Sequence, residues 1–452
     1  DVDFSAHIKN KAPAIDTQLK LTTKLTLDKE LTVFNLRDVV LTVVLRANEF
    51  IKQDEELKIK SSIDVLMDKQ LITIKGLQLT ALGIKARAEI QVSQLLKTPL
   101  IQGEVDVQPF NARDVAKRAG IELPEMAKDD ALQKVSMQAK IKMQGEKLEA
   151  NNFSLLLDES VFSGWVHMRD LSEQQLRYVL AADHFNIDHY LPPVTKDAVS
   201  DKAVVASAGE ENPVTANVAA VAASADEKIE LPIEMMRKLD IQGDLRITSL
   251  LIKAQEVKRF AMSVRAQKGE IVIYPLLMQV LEGTVASKVT LNVQNKIPAY
   301  TVNMEAKQLH LGPVVNPILK EAMEDEPISI KGAANLLMDI KASGETVKQL
   351  KQSSLGQIVL DMKDTEVNHF DPEHYMRKAV ADYVQSKGLN LSKAIISEYR
   401  AKQRTVFDVI HGTVDLAKGK ATTNDFIMRS PQVQVTAEGQ VDILQNTLDM
   451  MS

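Results

Sequence analysis

Histidine and acidic residues come close together at two places, where the sequence could bind a metal or transfer protons. The first place holds Asp183 and His184, followed by Asp188 and His189. Asp188 and His189 stand directly before a Leu-Pro-Pro segment, where hydrogen bonding in a turn accounts for them. We interpret this cluster as structural.

The second cluster runs from His369 to His374. Asp371 is a typical N-cap, Pro372 suits the first helical position, and Glu373 complements the helix dipole in the first turn. One histidine then precedes the helix and the other lies inside it, which is not the i, i+4 spacing that places two ligands on one helix face. The sequence therefore predicts a helix start here and no metal site.

Other signatures of catalysis are missing from the sequence. It contains no G-x-S-x-G nucleophile elbow, no glycine-rich phosphate loop and no cysteine that could pair with a histidine. The 61 acidic and 55 basic residues are scattered, and a net charge of −6 provides no basic face for nucleic acid. We predict a protein that is not an enzyme, needs no cofactor and does not bind nucleic acid.

The elements that the sequence predicts are mostly β-strands. Between Asp240 and Leu311 apolar and polar residues alternate, and successive strand side chains point to opposite faces of a sheet. One face is then apolar, and few amphipathic helices are predicted to cover it. This pattern favours an apolar ligand on that face. Its candidate lining residues are Leu245, Ile247, Phe260, Met262, Val264, Val285, Val289, Leu291, Val293, Val302, Met304, Met338, Ile340, Leu360 and Met362.

Composition divides the chain into two strand-rich halves. Residues 1–193 form the first half, with a short helix predicted near 111–120, where Asn111 can cap and Gly120 can end it. Residues 194–228 are rich in Ala, Val, Ser and Asp without any period, which is typical of a disordered linker. Residues 229–452 form the second half, with helices predicted near 313–323 and 371–399.

Two other architectures fit parts of this pattern. A β-sandwich with a sealed core would act as a scaffold or interaction protein and would hold no apolar ligand. An outer-membrane barrel is disfavoured, because only 4% of the residues are aromatic and helices interrupt the strands.

An ordered set of phrases resembles a known family. The phrases are GEVDVQPFNARDVAKRAGIELP from Gly103, LAADHFNIDHYLPP from Leu180, and KGEIVIYPLLMQVLEGTVASKVTLNVQNKIPAY from Lys268, followed by SIKGAANLLMDIKASG and SLGQIVLDMKDTEV. Together they resemble the AsmA family of bacterial envelope proteins over roughly residues 103–452. The chain departs from the usual family pattern at turns, notably at Lys268, at Leu281 to Gly283 and at His369.

The resemblance implies a fold and a function. The fold is mainly β with a few short helices, in which a long antiparallel sheet curls into an open, U-shaped apolar groove and the helices lie at its ends or edges. The function is lipid transfer of the bridge-like type, with phospholipid as ligand and the outer membrane as destination. The resemblance also implies a periplasmic location and an inner-membrane anchor that lies outside this sequence.

Overall fold

The computed structural model describes residues 1–11, 14–47, 53–193, 228–229, 231–322, 328–387, 404–444 and 447–451. The chain forms two compact units. The first comprises Asp1–Ala206 and Leu239–Arg265, and the second comprises Ser207–Lys238 and Ala266–Ser452. The linker predicted at 194–228 lies almost entirely outside the described residues.

The first unit is a run of strands in which each of the first ten pairs with the next in antiparallel order. Short turns join most of them, and alternating apolar residues give each strand one apolar side. The strands are β1 Val2–Lys11, β2 Ala14–Leu27, β3 Val33–Leu45, β4 Glu55–Leu66, β5 Leu71–Ala81, β6 Ile84–Ser93, β7 Leu100–Phe110, β8 Val135–Gln144, β9 Lys147–Leu157, β10 Ser160–Met168, β11 Gln175–Asn186 and β12 Asp240–Ile252.

The pairing of β11 with β12 is parallel, which corrects the expectation of a purely antiparallel sheet. A parallel neighbour requires a long connection, and more than fifty residues separate these two strands. An ion pair holds the start of β12, with Nη2 of Arg177 2.7 Å from Oδ1 of Asp240. The next strand, β13 Gln255–Gln267, begins in the first unit and ends in the second.

Helix α1, Ala112–Arg118, lies where the sequence predicts a short helix near 111–120. The Asn111 side chain accepts hydrogen bonds from the backbone N–H groups of Arg113 and Asp114, at 3.0 and 3.2 Å. Gly120 follows the helix with a positive φ of 66°, the conformation that favours glycine after a C-terminus. A single turn of 3-10 helix, Ile187–His189, follows β11.

The second unit is also one run of strands, all antiparallel. The short β17 and the longer β18 both pair with β19, so together they form one interrupted strand. Within each unit the described strands form a single run that does not close into a barrel. The strands are β14 Glu270–Val280, β15 Gly283–Asn292, β16 Ala299–His310, β17 Ser329–Lys331, β18 Ala333–Ser343, β19 Leu355–Asn368, β20 Arg404–Ala417, β21 Lys420–Arg429, β22 Gln434–Asp442 and β23 Thr447–Met451.

In the described residues of the second unit, four helices lie at the strand ends: α2 Ile233–Lys238, α3 Gly312–Ala322, α4 Val347–Ser353 and α5 Pro372–Ser386. Helix α3 lies at the position predicted near 313–323, and α5 lies at the start of the region predicted at 371–399. Residues 388–403 lie outside the described part of the chain. The sequence did not predict α2 and α4, which are too short to show a helical period. The N-cap of α4, Thr346, accepts a hydrogen bond from the N–H of Gln349.

Buried apolar side chains are few in the described residues, and many of them are alanines. The larger of two clusters in the second unit consists of Ala334, Met362, Val367, Phe407 and Ile410. Two sheets that sealed a common core would bury large side chains along most of each strand. The described residues instead support a mainly β, open fold, and the sealed sandwich is not what they show.

Candidate functional site

One row of directly paired residues crosses all twelve paired strands of the first unit, and every member is apolar. Paired residues of neighbouring strands share a face, so these side chains lie side by side on one surface. With strands about 4.8 Å apart, the row extends about 50 Å. Its members are Phe4, Leu21, Leu41, Ile59, Leu79, Ala86, Val107, Met137, Leu155, Phe162, Ala182 and Ile247.

A second row crosses the second unit from β14 to β22 and is equally free of polar side chains. Each of its members is half-buried. A parallel row beside it contains Met278, Val285, Ala306, Leu336 and Leu360. The members of the main row are Ile273, Val289, Val302, Ile340, Gly356, Leu416, Ala421 and Val441. We call the surfaces that carry these rows the apolar faces of the two units.

The structure places the sequence-predicted lining residues on these faces. Leu245 pairs with Leu180, and Ile247 pairs with Ala182, on the apolar face of the first unit. The hydroxyl of Ser263 donates to Asp244, which puts both on the opposite face. Met262 and Val264 are the neighbours of Ser263, so they point to the apolar side, and Phe260 follows the same alternation. In the second unit nine candidates share the apolar face by direct pairing, and Val293 continues the same alternation. The nine are Val285, Val289, Leu291, Val302, Met304, Met338, Ile340, Leu360 and Met362.

Four of these residues are too deeply buried to line an open surface. Val293 is completely buried, and Ile247, Val285 and Met362 are nearly so. Met362 packs in the cluster around Phe407, and Val285 packs against Ala306 and Leu309. The remaining candidates are half-buried, so a ligand on the apolar face could contact them.

Bulges interrupt several strands and bend them. The pairing register shifts between Ile74 and Leu77 in β5, and between Ala306 and Leu309 in β16. At each bulge, a side chain of the neighbouring strand accepts a hydrogen bond from a backbone N–H of the bulged strand. The Glu89 carboxylate accepts from Gly76, and the Asn335 amide oxygen accepts from Gln308. The bulges keep the apolar face continuous where simple alternation would place Leu77 and Leu309 on the polar side.

Two tyrosines bring phenol groups to the apolar faces. Tyr178 lies opposite Gly243. A Cβ at position 243 would fall 2.4 Å from the Tyr178 ring, so only glycine leaves enough space for the ring. Tyr300 lies between Leu291 and Ala342, and its hydroxyl is buried with no hydrogen-bond partner. Burial raises the pKa of both tyrosines, and Asp244 adds to the effect at Tyr178. The alternation of β16 points to Tyr300, whereas no sequence signal pointed to Tyr178.

The histidine clusters have structural roles in the described residues. The Asp188 carboxylate accepts hydrogen bonds from the backbone N–H groups of Lys253 and Ala254, in the turn between β12 and β13. Asp371 caps α5 by accepting from the N–H groups of Glu373 and His374. Within the described ranges no three histidine or acidic side chains are placed to hold a metal ion.

A model of the AsmA family matches residues 19–426. The chain belongs to the AsmA family. No curated protein and no solved structure matches it.

AsmA family membership associates this chain with the bacterial envelope, which agrees with the resemblance seen in its sequence. The matched region includes both apolar faces almost completely, from β2 to the middle of β21. No helix in the described part of the chain is both long and apolar enough to cross a bilayer.

Proposed function

We propose that this AsmA family protein is a non-enzymatic lipid-transfer protein of the bacterial envelope. It carries the acyl chains of glycerophospholipids along its apolar faces, across the periplasm, for outer-membrane biogenesis. We also propose that the protein is anchored to the inner membrane. The observation that carries the proposal is the unbroken apolar row in each unit, most of whose members are half-buried and not packed in a closed core.

The free energy of lipid transfer explains why such a surface is useful. Exposing an acyl chain to water costs about 0.8 kcal/mol per CH₂, or roughly 12 kcal/mol for a chain of about fifteen. A continuous apolar face removes much of this cost without contacting the head group. Neighbouring positions along a row would then offer a chain successive sites of similar affinity.

The side chains of the second unit suit a ligand that moves. Met304 pairs directly with Met338, and Val289 and Val302 lie in the adjacent row. Methionine side chains are flexible and adapt to irregular apolar partners. These residues would hold acyl chains without fixing one position.

The test is to purify the chain from bacterial cells, extract it with organic solvent and measure phospholipid per chain by mass spectrometry. Val289→Asp places a carboxylate in the middle of the row, between Ile273 and Val302. An open face can hydrate the carboxylate, so we expect a folded chain with several-fold less bound phospholipid. Thr290→Asp, one residue along on the opposite face, is the matched control and should leave the lipid content unchanged.

Three outcomes would contradict the proposal. Absence of phospholipid from the unmodified chain would remove the ligand. Equal lipid content in the two variants would show that the apolar face is not the binding surface. Global unfolding of Val289→Asp alone would indicate a sealed core.

A further inference from the structure

Helix α5 presents its apolar side to solvent. Met376, Val380 and Tyr383 are spaced i, i+4, i+7 and are 52%, 54% and 65% exposed. Residues with this spacing form one stripe along a helix. Tyr375 and Ala379 lie on the same side and are also exposed. We call these five residues the α5 stripe.

The side of α5 that faces the protein is less apolar than the exposed side. Ala381 is buried on that side, Val384 is half-buried, and Glu373 forms an ion pair with Arg377 at 2.8 Å. A surface helix normally turns its apolar stripe toward the core. Because α5 does the reverse, its sequence is explained by an apolar environment outside the described fold.

The α5 stripe continues an apolar path from the sheet. The Phe370 ring is 6.2 Å from Phe407, which packs with Met362 at the end of the apolar face. The centroid of the same ring is also 6.0 Å from that of Tyr375, the first residue of the stripe. Apolar side chains therefore lead from the strand ends of the second unit onto the exposed side of the helix.

The chemistry of the stripe fits a lipid surface. Tyrosine favours the boundary between head groups and acyl chains, and Met376 and Val380 can enter the apolar layer. Lys387 lies with its ammonium 5.5 Å from the centre of the Tyr383 ring, and Lys378 borders the stripe. These cations complement anionic head groups, and Asp382 is the acidic residue at the same border.

We propose that α5 lies on the surface of an anionic lipid bilayer, with the α5 stripe in the boundary between head groups and acyl chains. The inference rests on the proposed function, because such contact would bring the apolar face of the second unit to a membrane from which lipid enters or leaves. The charge of the flanking lysines selects the bilayer over a purely apolar protein partner.

The experiment is co-sedimentation of the purified chain with vesicles of phosphatidylethanolamine and phosphatidylglycerol in a 3:1 ratio. We expect the unmodified chain to bind, and the triple variant Met376→Ser, Val380→Ser, Tyr383→Ser to bind at least tenfold more weakly. The matched control is Leu277→Ser, Leu337→Ser, Leu355→Ser, three exposed leucines on the polar face of the second unit. It should bind like the unmodified chain.

A second measurement reads the helix directly. Trp165 is the single tryptophan, so Tyr383→Trp in a Trp165→Phe background reports only on α5. Its fluorescence should shift to the blue when vesicles are added, and an unchanged spectrum would overturn the proposal.

The remaining outcomes separate this proposal from the proposed function. Unchanged vesicle binding by the α5 triple variant overturns the membrane contact. A dimer of the unmodified chain that the triple variant abolishes would assign the stripe to a second copy and also overturn it. The phospholipid extracted with the triple variant should equal that of the unmodified chain, since the apolar faces are intact. A third result is that the unmodified chain binds vesicles, the triple variant does not, and no phospholipid can be extracted from either. This result would support the α5 contact and reject lipid carriage.

Discussion

His411 lies on the polar face of the second unit between two carboxylates. Its Nδ1 is 2.7 Å from Asp361, and its Nε2 is 3.4 Å from Asp425. The hydrogen bond with Asp361, joined by the charge of both aspartates, raises the pKa of His411 above its ordinary value of 6.5. The protonated ring thus links three neighbouring strands, β19, β20 and β21.

We predict that this link makes stability depend on pH. A raised pKa in the folded state means that the stabilisation is fully present below about pH 6.5 and is lost as pH rises through the higher folded value. The effect should not exceed about 1 kcal/mol, because the side chain is 34% exposed. Urea denaturation at pH 6 and pH 9 measures it, and His411→Gln should remove the difference. The same substitution at His167, which contacts Asn151, is the control. A pH dependence that survives His411→Gln would contradict the assignment.

The face on which a residue lies could be predicted from the sequence, whereas its depth of burial could not. Val289 and Val302 could be assigned to a common face, because antiparallel pairing preserves alternation from strand to strand. Their neighbours Val293 and Met362 were assigned equally well to that face, yet both are buried. Helices and loops at the strand ends decide which part of a face stays open, and alternation within a strand contains no information about them.

Some of the secondary-structure elements could likewise be predicted from the sequence and others could not. Most strands could be predicted from their alternation, and α1 and α5 from a capping residue followed by a helical pattern. The bulges could not, because one extra residue in a strand looks like an error in the pattern: Ala306 and Leu309 face the same side although they are three residues apart. The parallel pairing of β12 could not be predicted either, since it depends on a connection whose composition is irregular.

The N-cap of α5 permits a test at the scale of one element. Asp371 is buried and accepts hydrogen bonds from the N–H groups of Glu373 and His374, at 3.1 and 3.3 Å. Asp371→Ala removes these acceptors, so we expect a loss of about 1 kcal/mol and faster amide hydrogen exchange within α5. Asp371→Asn keeps an acceptor oxygen and should retain most of the protection. Equal exchange in the two variants would show that the cap does not stabilise the helix.

Across the whole molecule, the two units share the same arrangement of strands and faces. Each is a single run of strands with ion pairs on its polar face, such as the Lys140–Glu104 pair opposite Val105 and Ala139, and an apolar row along the other face. Family membership spans both units. A lipid carrier would use this repeated design in both units, whereas an envelope scaffold would have no need for a second apolar face.

This repetition predicts that lipid contacts both units and only one face of each. Photoreactive benzoylphenylalanine in place of Leu79, Val107 or Val302 lies in an apolar row, where the native side chains are half-buried. Each of the three should crosslink phospholipid in living cells, because an acyl chain on the row passes within contact distance. The matched controls replace the preceding or following residue on the polar face, Gln78, Asp106 or Asn303, and should give little adduct. Mass spectrometry of the purified adducts measures the yield. Crosslinking confined to one unit would mean that the other apolar face serves a different purpose, and equal yields on the two faces would mean that the rows do not hold the lipid.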